Sequence, residues 1–123
     1  MPWLMVAIGG AVGAISRYGV DRAVIGMVGG PTVLGTFIVN ITGSFLLGLF
    51  IAFTADRTGW LLESRSLVAV GILGSYTTFS TLTVASLHLF QGGEVTRGLL
   101  NVFGSIAVGL LAALLGLVVG RAL

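Results

Sequence analysis

Gly71-Ile72-Leu73-Gly74-Ser75-Tyr76-Thr77-Thr78-Phe79-Ser80-Thr81-Leu82-Thr83 packs six serines and threonines into residues 75–83, yet it sits within the 28 residues between Arg65 and Glu94 that carry no Asp, Glu, Lys or Arg. An uncharged interval of that length exceeds the ~20 residues a helix needs to cross the bilayer hydrocarbon. Hydroxyls gathered at the centre of such a span, behind two glycines, are the pattern of a discontinuous transmembrane helix. Unwound backbone persists at that depth only where protein buries it or where it lines a cavity. A break exposes carbonyls to a cation, or amides and hydroxyls to an anion. The alternative is a continuous helix whose Ser and Thr side chains bond back to carbonyls one turn earlier.

The rest of the chain is organised in the same way. Between Arg22 and Asp56 lie 33 uncharged residues, between Arg97 and Arg121 lie 23, and the first 16 residues are uncharged as well. Of 123 residues, 56% are hydrophobic and 8% charged, whereas a soluble domain carries roughly 25% charged residues. The pattern predicts an all-α integral membrane protein, a single four-helix transmembrane domain over residues 1–123 with helices at about 3–25, 32–55, 65–90 and 94–121. Pro31 suits the first turn of the second helix. Asp56 to Ser64 reads as the longest loop and Gln91-Gly92-Gly93 as a tight turn. Trp3, Tyr18 and Trp60 fall near span ends, as interfacial aromatics should.

Several classes are excluded. The chain has no cysteine, so disulfides and thiolate metal sites are out of reach. The segments outside the spans are too short for a soluble cofactor domain, so neither an enzyme nor an organic cofactor is expected, and no nucleic-acid partner. A cleaved signal peptide is disfavoured because no basic region precedes the apolar stretch and Gly9, Gly10 and Gly13 interrupt it.

The 20 glycines are too many for soluble helices. Spacings such as Gly9-xxx-Gly13, Ser44-xxx-Gly48, Ser105-xxx-Gly109 and Gly116-xxx-Gly120 are those of closely packed helices in lipid. A repeat is visible at an offset of 61 residues: Asn40, Gly43, Ser44, Gly48 and Leu49 fall on Asn101, Gly104, Ser105, Gly109 and Leu110, and Gly10 and Gly13 fall on Gly71 and Gly74. A duplicated two-helix unit would make helices 2 and 4 equivalents, each with a mid-membrane asparagine and serine.

The arginines divide evenly between the two sides. Arg57, Arg65 and Arg121 share the side of both termini, and Arg17, Arg22 and Arg97 lie on the other. Orientation follows the Lys/Arg bias of flanking segments, so a balanced chain should insert both ways and build an antiparallel, dual-topology dimer with a self-complementary interface. Four short helices would hardly enclose a polar path alone.

Within that frame the candidate residues form a neutral set. Asn40 must find partners in lipid, either as a pore donor or as interhelical glue. With the hydroxyls of helix 3 and Ser105 it offers donors able to replace the hydration shell of a small anion. Phe79 either packs or turns its electropositive ring edge toward such an ion. No Asp, Glu or Lys is expected within a span, and His88 falls near the end of helix 3. Ion-coupled transport ordinarily uses intramembrane carboxylates or histidines, so passive conduction is favoured over a small dual-topology proton-coupled exporter.

Three segments carry a family resemblance: Gly9-Gly10-Ala11-Val12-Gly13-Ala14-Ile15-Ser16-Arg17-Tyr18, Gly35-Thr36-Phe37-Ile38-Val39-Asn40-Ile41-Thr42-Gly43-Ser44-Phe45, and Gly71 through Thr81 with its Thr77-Thr78-Phe79-Ser80-Thr81 string. In these the chain resembles the Fluc fluoride channels, also called CrcB. The resemblance implies a passive channel that exports fluoride across the bacterial cell (inner) membrane through pores at the interfaces of an antiparallel homodimer. It implies a structural sodium ion held by the backbone carbonyls of Gly74 and Thr77, and pores lined by Asn40 and Phe79 with Thr78, Ser80, Thr81 and Ser105 nearby. It also implies that Arg17 stands in a vestibule, where its charge would raise the local anion concentration. Leu82 stands where the family carries a second phenylalanine, Ala85 where it commonly carries glutamate, and Asn101 where many members carry tyrosine. These departures leave open a heterodimer with a paralogous chain.

Overall fold

A computed structural model describes residues 1–57 and 62–123, and the regular elements among them are all helical. Trp60, placed above as an interfacial aromatic, lies outside the described residues. Four helical segments are long and apolar enough to span a membrane: Pro2–Val28, Leu34–Thr54, Leu62–Gln91 and Val95–Ala122.

The first span outlasts the expected end at residue 25 and stops where Gly29 takes a φ of 90°, its N–H returning to the Ile25 carbonyl at 2.9 Å. A helix of 27 residues is about 40 Å long at 1.5 Å per residue, roughly 10 Å more than the hydrocarbon is thick. Asp21, already within the expected bounds of the first helix, lies inside that span, and the earlier start of the third places Glu63 inside it, which corrects the expectation that no acidic residue falls within a span. Both stand toward helix ends. Pro31 is not in the first turn of the second span, which starts at Leu34; the Thr32 hydroxyl accepts the Leu34 N–H at 3.2 Å, and this local turn delays the helix. The third span begins at Leu62 rather than residue 65. Arg65 reaches from it to the Thr54 carbonyl at 3.1 Å, tying the end of the second span to the start of the third.

The first span packs against the front half of the third, and the second against the fourth. Both contacts run through glycine. A methyl group on Gly9 or Gly13 would overlap the backbone of Leu67, Gly71 or Ile72, and one on Gly116 would overlap the carbonyl of Phe45. Gly109, expected to pack in the same way, meets nothing closer than 3.8 Å. Only Val39, Leu73, Leu82 and Ala112 make up the buried apolar core of the described residues. Many of the other Leu, Val and Ile, among them Ile15, Leu110 and Leu111, are exposed on the single chain, as suits a solvent of hydrocarbon.

The third and fourth spans are not uniform. Ser66–Leu73 and Leu100–Gly104 adopt the wider π-type turn, a form that concentrates at functional sites. Asn101 sits in such a turn while Asn40 sits in regular α-helix, so the equivalence of helices 2 and 4 expected from the repeat is lost locally: a wide turn rotates the residues after it to a different face. After the short helical piece Gly74–Tyr76, Thr77 takes ψ 157° and Thr78 takes φ −151° and ψ 116°, and Phe79–Gln91 then resumes as α-helix.

Candidate functional site

Two extended residues halfway along a span create a hydrogen-bond deficit, and Asn40 meets part of it. Its Oδ1 accepts the Thr78 N–H at 2.7 Å and its Nδ2 donates to the Thr78 carbonyl at 3.0 Å. The side-chain amide thus pairs with one backbone residue as a neighbouring strand would. An unmet buried amide or carbonyl costs about 1–3 kcal/mol, which gives the pairing its weight. Asn40 is glue in this respect, and its amide retains one N–H beyond the bond to Thr78. Because the Thr78 amide turns to Asn40, the Gly74 carbonyl loses the donor a continuous helix would supply. The Thr77 carbonyl loses its own donor in the same way, since the Thr81 N–H goes to the Thr78 hydroxyl at 3.3 Å. The Thr77 hydroxyl bonds back to Leu73 at 3.1 Å.

A cavity of about 370 Å³ opens beside this pairing and is lined by Asn40, Ser44, Thr77, Thr78, Phe79 and Ser105 among others. Ser105 is 5% exposed, and its Oγ is the one buried side-chain polar atom without a hydrogen-bond partner among the described residues. Ser44 is already committed, donating to the Asn40 carbonyl at 2.6 Å. Phe79 is 74% exposed on the single chain. Four of the expected pore residues, Asn40, Thr78, Phe79 and Ser105, therefore share one space. Leu82, where a second ring was expected, contributes a buried aliphatic wall to it.

Ser80 and Thr81 lie elsewhere. They line a second hollow, of about 400 Å³, with Val84, Ala85 and His88. Arg17 lines a third, of about 260 Å³, with Asp21, Thr36, Thr78 and Thr81 among others. Thr78 lines both the first and the third cavity, and Thr81 both the second and the third, so the Arg17 cavity shares a wall residue with each of the others.

Three hydrogen bonds and one close approach escaped the sequence reading. Tyr76 Oη and Thr42 Oγ1 lie 3.0 Å apart. Asn101 donates to the Ser86 hydroxyl at 2.9 Å, and Ser86 donates to the Leu82 carbonyl at 2.7 Å. Asp21 lies so close to Gly35 that a β-carbon there would collide with its carboxylate. The clue available beforehand was the polarity of Thr42, Ser86 and Asp21 in apolar surroundings, but no spacing links them. Among the described residues no group of three or more His, Cys, Asp and Glu is arranged to hold a metal.

Comparison with known proteins bears on this arrangement. The family described as CrcB-like protein, Camphor Resistance (CrcB), matches residues 4–117. Among relatives, the fluoride-specific ion channel FluC of one strain of Thermus thermophilus is 47% identical over 98% of this chain and 94% of its own length. That of Magnetococcus marinus is 44% identical over 94% of each, and that of a Coxiella burnetii strain is 38% identical over 98% of each. These relatives are ion channels and not enzymes, and with four spans of its own this chain is a multi-pass membrane protein. Matched over nearly its whole length, the chain belongs to the CrcB family.

Proposed function

We propose that this protein is a passive, fluoride-selective channel that lets fluoride out of the cell across the cytoplasmic (inner) membrane. The observation that carries the reading is the mid-span cavity in which the Asn40 amide, the unpartnered Ser105 hydroxyl and the Phe79 ring come together. Neutral donors and a ring edge can replace a fluoride ion's hydration without fixing a full charge that would trap it. Neither of the acidic residues of the spans, Asp21 and Glu63, lines this mid-span cavity, which favours conduction over proton coupling.

The working unit in this proposal is an antiparallel dimer. Phe79 is largely exposed on the single chain, and Ser80 and Thr81 are exposed beside it. Hydroxyls at mid-membrane depth are costly against lipid, and a second copy would cover them and close the pores. The released carbonyls of Gly74 and Thr77 fit a structural sodium ion between the subunits, because neutral oxygens suit a hard monovalent cation. Replacing sodium by choline should then lower the dimer's melting temperature, and an unchanged melting temperature contradicts the cation. Leu82 in the cavity wall keeps a paralogous partner chain as the second reading.

The test is fluoride tolerance in a bacterial host stripped of its own exporter. The wild-type chain expressed alone should restore growth in fluoride, whereas Asn40→Leu and Ser105→Ala should not. Rescue by both variants would remove the cavity from the account. Failure of the wild type when expressed alone, with rescue by co-expressed paralogue, would establish the two-chain form.

A further inference from the structure

Asp21 has no place in the conduction path described above, yet it lines the Arg17 cavity. This hollow of about 260 Å³ holds both residues with Thr36, Thr78 and Thr81, and through Thr78 it abuts the mid-span cavity. Arg17 and Asp21 are both half-buried and stand one turn apart on the same helix. At that spacing opposite charges can pair, though less favourably with the cation nearer the N-terminus, as Arg17 is. Here they do not: among the described residues the single salt bridge is Arg97 with Glu94, at 2.7 Å.

Packing explains the separation. Asp21 lies against Gly35 in the first turn of the second span, where any β-carbon would strike its carboxylate and stand 3.0 Å from its Cα. A carboxylate is favoured beside a helix N-terminus, so it is held there. The guanidinium is left with donors that bond no described residue, in a cavity whose walls also bring the side chains of Thr36, Thr78 and Thr81. The cavity thus holds an unpaired cationic group with a fixed counter-charge in its own wall.

We propose that Asp21 sets the affinity of this antechamber: it offsets Arg17 so that fluoride is gathered but not retained before passing Thr78. The inference rests on the channel reading and adds a residue to it. A bare guanidinium in a half-buried hollow would bind a small anion more tightly and saturate earlier; the carboxylate in the same wall, though not bonded to it, keeps binding weak and lets the flux rise with concentration. Groups facing the cavity from the other helices, Thr36, Thr78 and Thr81, are neutral, so the balance depends on Arg17 and Asp21.

The experiment measures initial fluoride efflux from liposomes against internal fluoride concentration, at low and high concentrations of an impermeant salt. Asp21→Asn keeps the side chain's shape against Gly35 and removes its charge. The half-saturating concentration should fall about threefold, the order that one charge contributes at hydrated contact distance, and high salt should shrink the difference. Arg17→Gln should raise it, and the double variant should return to within about twofold of wild type by charge balance. An Asp21→Asn channel with the wild-type half-saturation overturns the proposal, as does one that loses maximal flux alone, since that marks Asp21 as a packing residue. Wild-type liposomes without fluoride efflux would instead defeat the channel reading.

Discussion

Asn40 and Ser105 face the same cavity, but they stand in opposite relations to stability. Replacing Asn40 by leucine strands the Thr78 N–H and carbonyl, and at about 1–3 kcal/mol for each unmet group the protein should lose several degrees or more of thermal stability in detergent. Ser105→Ala removes a hydroxyl that has no protein partner, so stability should hold or rise by up to about 1 kcal/mol. If that hydroxyl serves the anion, fluoride efflux should nevertheless fall by at least about tenfold, the effect of losing one hydrogen bond to a charged group. A destabilised Ser105→Ala protein would make Ser105 a packing residue whose partner lies in another copy. Both residues were legible in the sequence as polar groups in apolar spans. Their division of labour was not, because it depends on where the Thr78 backbone turns.

Among the helices, four spans could be read from the spacing of charges, since hydrocarbon admits few. Their ends could not: Gly29 and the Thr32 turn stop and start helices by local geometry that hydropathy does not register. Extended backbone at residues 77 and 78 was suggested by hydroxyls after Gly71 and Gly74, whereas the wide turns at 66–73 and 100–104 have no marker in composition. The pairing of the second span with the fourth depends on backbone contact, as shown by the collision a methyl group on Gly116 would make with Phe45. Gly116→Ala should therefore cost about 2 kcal/mol or more, in the range of an overpacked core. Gly104→Ala, with open space around it, should be neutral or stabilising by roughly 0.5–1 kcal/mol through helix propensity. Thermal unfolding of both in the same detergent checks the contrast, and equal effects would mean that the close approach is not what holds the pair.

The whole molecule is unfinished as a single copy, with an exposed Phe79 and exposed hydroxyls at mid-span and three arginines on each side. That balance predicts both orientations in the membrane. Two lysines added after Leu123 should drive most copies to place that end in the cytoplasm and reduce fluoride tolerance, and co-expression with a chain carrying two lysines beside Gly29 should restore it. A single orientation for the unaltered chain would exclude the homodimer and point to a paralogous partner. Selective passive conduction is the claim on which the rest depends, and it is tested most directly with liposomes holding purified wild-type protein and equal fluoride and chloride. With an ionophore to balance charge and no pH gradient, ion electrodes outside should record fluoride leaving at least about a hundredfold faster than chloride, the discrimination expected of a site built on fitted donors. Comparable rates for the two anions, or fluoride release only when a proton gradient is imposed, would contradict the account.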